Sequence, residues 1–103
     1  MAFDIAVVGL YIVDILGRPI TNIPAGGAVE FIEEIRLTVA GTAGGTAVDC
    51  AKLGMATLAI GAVGDDEKAD FLLNTLAQHG VDISLMQRVA GVPTSSTTLV
   101  HSL

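Results

Sequence analysis

Residues 57–64 have the sequence Thr-Leu-Ala-Ile-Gly-Ala-Val-Gly, and two aspartates, Asp65 and Asp66, follow directly. A short apolar run that ends in glycine is typical of a buried strand in a parallel sheet. An aspartate placed after such a run accepts a hydrogen bond from the first free N–H groups of a helix. We therefore predict a strand over 57–63, a turn, and a helix whose N-cap is one of the two aspartates.

The segment from about 66 to 79 has the pattern of that helix. Acidic residues crowd its first turns, where they suit the helix dipole, and Gly80 follows as a stop signal. Apolar side chains recur at the spacing of one helix face, namely Ala69, Leu72, Leu73 and Leu76. We expect this helix to pack against the sheet through that face.

A second strand and helix precede this pair. Residues 4–8 form another short apolar run that ends at Gly9, and a helix is predicted over 46–53, after a double glycine and before Gly54. Alternation of strands and helices predicts an α/β fold with a parallel sheet and right-handed crossovers. So few elements leave sheet edges and apolar faces uncovered, so we expect the chain to be part of a larger protein.

The long segment between the two strands predicts a smaller sheet. Residues 11–20 are apolar and strand-like, and Ile35, Leu37 and Val39 alternate with polar residues, which is the period of a half-exposed strand. Residues 94–103 are rich in Thr and Val and predict a further strand. We expect one domain over 1–103, with a β-sheet lid built from strands at about 11–40 and 94–103.

Composition excludes several classes of protein. The chain has 103 residues, is 51% hydrophobic, and carries a formal net charge of −6 with only five scattered basic residues. Nucleic acid is therefore not an expected partner, because phosphate binding needs clustered Lys and Arg. Every apolar run is broken before the roughly 18 residues of a membrane span, so no membrane is expected. The single cysteine, Cys50, and the lack of a signal-peptide pattern favour a cytoplasmic protein.

The glycine cluster in residues 41–46 is the most informative local motif. Gly44 and Gly45 stand directly before the predicted helix, where backbone N–H groups and the helix dipole favour an oxygen-rich ligand. The alternative is that both glycines only permit a tight turn or close packing. The cluster is not a phosphate-binding loop of the Gly-Lys-Ser/Thr kind, and it does not follow the first strand as a dinucleotide fingerprint would.

Two carboxylates complete the candidate site. Asp14 follows the first strand's carboxyl end, where open α/β sheets bind ligands, and Asp49 lies in the first turns of the helix predicted after Gly45. Together they offer several acceptors to neighbouring hydroxyl groups, as a polyol requires. Taken singly, each is more often a helix cap or a solvated acid. We expect Asp14, the double glycine and Asp49 to converge on one polar cleft beneath the lid.

The order and spacing of these segments resemble the first third of ribokinase-like (PfkB) carbohydrate kinases over almost the whole chain. The matching landmarks are Asp4-Ile-Ala-Val-Val-Gly9 with Asp14, Ala43-Gly44-Gly45-Thr-Ala-Val-Asp49-Cys-Ala51, Leu53-Gly54, Gly61-Ala-Val-Gly64-Asp-Asp66 and Leu76-Ala-Gln-His-Gly80-Val81-Asp82. The resemblance implies a three-layer αβα domain with a β-sheet lid, incomplete in this chain. It also implies that Asp14, Gly44, Gly45 and Asp49 bind the sugar.

The chain departs from the family pattern at one position of that site. The family usually has Asn where this chain has Asp49, so the acceptors are kept and the amide donors are lost. Ile12 stands where ribokinases often carry a polar residue, and ribose is therefore not a safe guess.

The chemistry implied by the resemblance is transfer of the ATP γ-phosphoryl group to a sugar hydroxyl. The family's base, anion hole and Mg²⁺ site belong to the carboxyl-terminal half, so ATP and Mg²⁺ are expected for the full-length protein and neither for this chain alone. The expected partner is a sugar, with a homodimer possible through the lid. A nucleoside kinase of the same family and a small non-catalytic α/β binding module are the alternatives.

Overall fold

The computed structural model describes residues 2–102 of the chain. The described part contains eight elements in this order: β1 (Ile5–Val8), β2 (Ile12–Arg18), β3 (Glu34–Ala40), α1 (Thr42–Lys52), β4 (Thr57–Gly64), α2 (Glu67–Gln78), β5 (Asp82–Val89) and β6 (Ser96–Val100). They form two separate three-stranded sheets, one with the order β1-β4-β5 and one with the order β3-β2-β6. The predicted α/β fold with a second, smaller sheet is confirmed.

The main sheet is fully parallel, and its strands are joined by the two helices. Ile5 of β1 lies opposite Thr57 of β4, and Gly64 of β4 lies opposite Val89 of β5. The predicted strands over 4–8 and 57–63 therefore match β1 and β4 closely. One face of the sheet is buried, as Val7 is 7% exposed, whereas Val8 on the other face is 71% exposed. The described residues therefore form two layers of the expected three-layer αβα architecture, namely the main sheet and one layer of helices.

The second sheet is the predicted lid. Its central strand β2 pairs antiparallel with β3 and parallel with β6. Its three strands, β2, β3 and β6, fall within the segments 11–40 and 94–103 that were predicted for the lid, of which Leu103 lies outside the described residues. The alternation at Ile35 and Leu37 does not produce burial, since both side chains are exposed. The reason is position, because β3 is an edge strand of the lid and contacts the main body chiefly through the two helices.

The prediction for the start of the first helix is wrong by one turn. The expected start was Thr46, but α1 begins at Thr42 and Gly41 is its N-cap. Gly41 has a φ of 87°, which glycine adopts without steric cost, so the turn into the helix is made there. Gly44 and Gly45 consequently lie inside the helix, and Asp49 lies two turns from its start.

The second helix agrees with its prediction. α2 spans Glu67–Gln78, and Asp66 is the N-cap whose carboxylate accepts from the Ala69 N–H at 2.9 Å. Ala69, Leu72, Leu73 and Leu76 are all buried, as the spacing predicted. His79 is the C-cap residue. Neither helix is long and apolar enough to cross a membrane.

Candidate functional site

The chain passes between the main body and the lid at two neighbouring segments beside the N-terminus of α1, and we call such segments crossings. The first runs from β1 to β2 through Leu10, and its carbonyl accepts from the N–H groups of Ala43 at 3.0 Å and Gly44 at 3.1 Å. The second runs from β3 into α1 through Gly41, where a Cβ atom would overlap the same Leu10 carbonyl. The two crossings are therefore packed together at the carboxyl end of the main sheet.

Tyr11 fixes the base of the lid to the sheet beneath it. Its side chain is 3% exposed, and its hydroxyl donates to the Val7 carbonyl at 2.6 Å. The ring lies so close to Gly61 that a Cβ there would be 2.7 Å from the ring Cδ2 atom. Burial raises the pKa of the Tyr11 hydroxyl, so the hydroxyl stays neutral and acts as a donor.

Asp14 lies on the lid as the third residue of β2, six residues beyond the end of β1. Its register partners are Thr38 on β3 and Thr97 on β6. Paired residues of neighbouring strands share one face of a sheet, so these three side chains form a polar row across the lid. The adjacent residue Val13 points to the opposite face and is completely buried. The polar row is therefore on the face of the lid that the hydrophobic core does not use.

Gly45 and Asp49 line a groove of about 310 Å³ between the lid and the two helices. Thr38, the partner of Asp14 in the polar row, lines it as well. Its other walls come from the lid and both helices: Leu37, Val39, Val48, Lys52, Phe71, Thr75 and His79. The groove thus combines hydroxyl, carboxylate and basic groups with apolar walls, as small polar ligands require.

The two neighbouring glycines of α1 differ in their surroundings. A Cβ at Gly44 would lie 3.0 Å from Val39 Cγ1 and 3.6 Å from Tyr11 Cδ1, so this glycine permits the lid to pack on the helix. A Cβ at Gly45 would meet nothing within 4 Å. Gly44 therefore has the packing role that the alternative interpretation gave to both glycines, whereas Gly45 borders open space.

The predicted residues are brought together only in part. Gly45 and Asp49 share the groove, Gly44 is buried beneath the lid, and Asp14 is not among the groove-lining residues. Asp14 is the register partner of Thr38, which lines the groove, but Asp14 lies on the opposite face of the lid from the wall residue Val39, which pairs with Val13. No group of three His, Cys, Asp or Glu residues in the described part of the chain is placed to hold a metal ion.

Sequence reasoning included Gly41 and Thr42 in the glycine cluster but not as the start of the helix, and it missed Thr38 altogether. The first turn of α1 contains no acidic residue, and Gly41 provides no side-chain cap. The partial positive charge of this helix end is therefore not compensated by a carboxylate of its own first turn. Gly41 directly before Thr42 was the available sequence signal for the helix start, but the double glycine at 44–45 was the more conspicuous one.

These features define an α/β protein with a parallel main sheet and a second, smaller sheet that lies beside a polar groove. The model of the pfkB family carbohydrate kinases matches residues 2–102. The chain therefore belongs to the pfkB family of carbohydrate kinases.

Solved structures of similar fold agree with this assignment. Ribokinase from Arabidopsis thaliana, complexed with ribose and ATP, is 25% identical with a TM-score of 0.82, over 95% of this chain and 32% of that chain. Fructokinase from Xylella fastidiosa is 26% identical with a TM-score of 0.74, over 91% of this chain and 27% of its own. A PfkB protein from Polaromonas sp. JS666 is 25% identical with a TM-score of 0.75, over 94% of this chain and 31% of its own.

The chain thus spans about a third of the length of these structures. A search of curated proteins found no match.

Proposed function

We propose that this chain is the sugar-binding part of an ATP-dependent carbohydrate kinase that transfers the γ-phosphoryl group of ATP to a sugar hydroxyl. Membership of the pfkB family supports the kinase class. The observation that carries the sugar-binding role is the polar row Thr38, Asp14 and Thr97 on the lid, next to a groove that contains Gly45 and Asp49. Within the groove, the Asp49 carboxylate on α1 and the Thr38 hydroxyl on the lid suit a ligand with several hydroxyl groups.

In this proposal each site residue has a separate task. Asp14 and Asp49 accept hydrogen bonds from sugar hydroxyls, and the open space beside Gly45 admits the sugar next to the first turns of α1. Gly44 acts indirectly, because it lets Val39 of the lid approach the helix. The lid excludes water from the sugar, which matters because water would compete for the phosphoryl group.

We assign ATP and Mg²⁺ to residues outside this chain. The chain spans about a third of the structures it resembles, and residues 2–102 contain no cluster of metal ligands. When bound, ATP supplies the phosphoryl group, and Mg²⁺ neutralises charge that develops during transfer. The chain's own contribution is to bind and orient the acceptor sugar.

A substrate screen of the full-length protein tests the proposal. ATP consumption is measured in a coupled assay with pentoses, hexoses and nucleosides as separate acceptors. We expect activity with at least one sugar. Activity with nucleosides alone would favour the nucleoside kinase alternative, and no activity with any acceptor would favour a non-catalytic binding module.

The lid also offers a surface for a second copy of the protein. Its apolar residues Ile35 and Val100 are 65% and 54% exposed, and β3 and β6 have unpaired outer edges within the described residues. Exposed strand edges with apolar side chains favour pairing between chains. We propose a homodimer through the lid, which light scattering of the purified protein tests directly. A monomer at all concentrations would contradict it.

A further inference from the structure

The third crossing between the main body and the lid, residues 90–95, is held by a buried hydrogen-bond network. Thr94 is 3% exposed. Its hydroxyl donates to Asp66 Oδ1 at 2.6 Å and accepts from the Gly64 N–H at 2.9 Å. Its own N–H donates to Asp66 Oδ2 at 2.9 Å. The lid strand β6 begins two residues later, so this network lies directly at its base.

Gly64 allows the crossing to pass close over the end of β4. A Cβ at Gly64 would lie 2.6 Å from Thr94 N and 2.8 Å from Pro93 C, and it would overlap the Val92 carbonyl. All three obstacles are backbone atoms, which do not move aside as a flexible side chain would. The main body is therefore shaped to receive residues 92–94 in one position.

Asp66 belongs at once to the helix, to the crossing and to a surface ion pair. Besides binding Thr94 it caps α2 through the Ala69 N–H, and Lys68 Nζ lies 3.3 Å from Asp66 Oδ2. The hydrogen bonds from the Thr94 hydroxyl and N–H, followed by that from Ala69, hold the pKa of Asp66 well below its ordinary value. The carboxylate therefore stays ionised and keeps all of these partners at neutral pH.

The lid thus has two fixed points, one at the N-terminus of each helix. At α1 the Leu10 carbonyl binds the N–H groups of Ala43 and Gly44. At α2 Asp66 binds Thr94, and the next residue's carbonyl accepts from the Val13 N–H of the lid's central strand at 3.0 Å. The two fixed points flank the start of β2, and together they position Asp14, the residue after Val13, relative to the main body.

We propose that Asp66 is a positioning residue for the substrate. Its hydrogen bonds to Thr94 fix the start of β6, and β6 in turn fixes the position of Asp14 relative to the main body. The role of Asp14 as a sugar ligand belongs to the proposed function, and the inference rests on it to that extent. Asp66 itself touches neither the groove nor the polar row. Loss of the link leaves the core intact but frees one side of the lid.

Hydrogen exchange of backbone amides in the full chain tests the link without any enzymatic assay. Thr94→Val keeps the branched shape and removes the hydroxyl, and Asp66→Asn keeps a cap acceptor but places an amide against the Thr94 N–H. We expect exchange at Gly64, Thr94 and β6 to be about tenfold faster or more in both variants, because hydrogen bonds to charged groups are strong. Thr94→Ser, which keeps the hydroxyl, should exchange at close to the original rate.

Asp65→Asn is the matched control. Asp65 is the adjacent, exposed carboxylate, and its partner is Arg88 at 3.2 Å. It should leave exchange at Gly64 and Thr94 unchanged. Equal acceleration in all strands and helices of the Asp66 and Thr94 variants would overturn the proposal, because the network would then stabilise the fold in general. Unchanged exchange at β6 would also overturn it.

The kinetic consequence is tested in the full-length kinase. We expect Asp66→Asn and Thr94→Val to raise the KM for the sugar about tenfold while the KM for ATP stays unchanged. Thr94→Ser, which keeps the hydroxyl, should have the sugar KM of the original protein. A merely structural role would lower the active fraction and leave both KM values alone, which would refute the positioning role. If no acceptor is phosphorylated at all, the proposed function fails, whereas the exchange result still decides on the link.

Discussion

The N-terminus of α2 is closed by side chains of its own segment, whereas the N-terminus of α1 is not. Asp66 caps α2, and Glu67 and Asp70 add negative charge in its first turn. α1 begins after Gly41 with no side-chain cap and no acidic residue in its first turn. Both helices follow a strand and both hold a crossing of the lid, so the difference lies in chemistry and not in topology.

That difference leaves the N-terminus of α1 without the negative charge that the N-terminus of α2 has. An acidic residue near a helix N-terminus contributes about 0.3–1 kcal/mol to stability, and α1 gives up this contribution. It does so beside the open space at Gly45 and the groove that contains Asp49. The Leu10 carbonyl already accepts from the Ala43 and Gly44 N–H groups, so in the proposed function an oxygen-rich substrate would add the negative charge that the first turn of α1 lacks. In α2 the same position is occupied by the protein's own carboxylate.

The largest effect is expected where the α2 end meets the lid crossing. Gly64→Ala places a methyl group into the backbone of residues 92–94, and nothing there can yield without moving the crossing. We expect it to lower the free energy of unfolding by about 3 kcal/mol or more, measured by urea denaturation. Gly26→Ala is the control, because a Cβ there meets nothing within 4 Å. Equal stability of the two variants would show that the close contact is not rigid.

A smaller effect is expected at the polar row of the lid, to which the proposed function assigns sugar binding. Asp14→Asn replaces a carboxylate between Thr38 and Thr97 with a neutral amide. We expect the full-length kinase to lose about tenfold in sugar affinity, which corresponds to about 1.4 kcal/mol, because one charged acceptor is removed.

Glu33→Gln, an exposed acid of the same lid segment, serves as its control. It should leave sugar affinity unchanged, as measured by isothermal titration. If Asp14→Asn binds sugar as tightly as the original protein, Asp14 is not a ligand, and if both variants lose affinity equally, only the general charge of the lid matters.

Acidification sharpens the comparison further, since only α2 depends on a strongly depressed carboxyl pKa. The folded pKa of Asp66 lies below its ordinary value of 3.8, so its contribution is complete above that value. It is lost as the pH falls from there through the lower folded pKa. We expect the stability difference between the original chain and Asp66→Asn to be constant from about pH 7 to about pH 5 and to shrink below about pH 4.

The exposed neighbour again provides the reference, because Asp65→Asn removes one carboxylate without touching Thr94. Denaturation midpoints of the three proteins over the same pH range make the measurement. A difference for Asp66→Asn that stays constant from neutral pH to about pH 3 would mean that the pKa of Asp66 is not depressed, because equal pKa values in the folded and unfolded states add no pH dependence.

The sequence predicted elements well wherever local signals agree, and it failed where a distant atom decides. For β4 and α2 the apolar run, the aspartate cap, the helical spacing and Gly80 all point to one structure. The start of α1 depends instead on the Leu10 carbonyl, which binds two N–H groups from more than thirty positions away along the chain. No local pattern contains that contact, so the more conspicuous double glycine misplaced the helix by one turn.

The site was predictable in its residue types more than in its geometry. Asp14 and Asp49 were proposed as site residues from position and chemistry, but their arrangement depends on the register of the lid strands and on the helix start. The link between Asp66 and Thr94 joins residues 28 positions apart and has no sequence signature of its own. Tertiary contacts of this kind depend on how the lid packs on the main body. That packing is determined by many residues together and by no local sequence pattern.

The smallest expected effect comes from making the two helix ends alike. Thr42→Asp gives α1 the acidic first turn that α2 already has, and Thr42→Asn is the neutral control of the same shape. We expect the aspartate variant to be more stable than the control by about 0.3–1 kcal/mol, with the gain reduced in about 1 M salt, because the effect is electrostatic. In the full-length kinase the same variant should bind sugar more weakly than the control. A gain in stability without any loss in affinity would show that the open end of α1 does not serve the substrate.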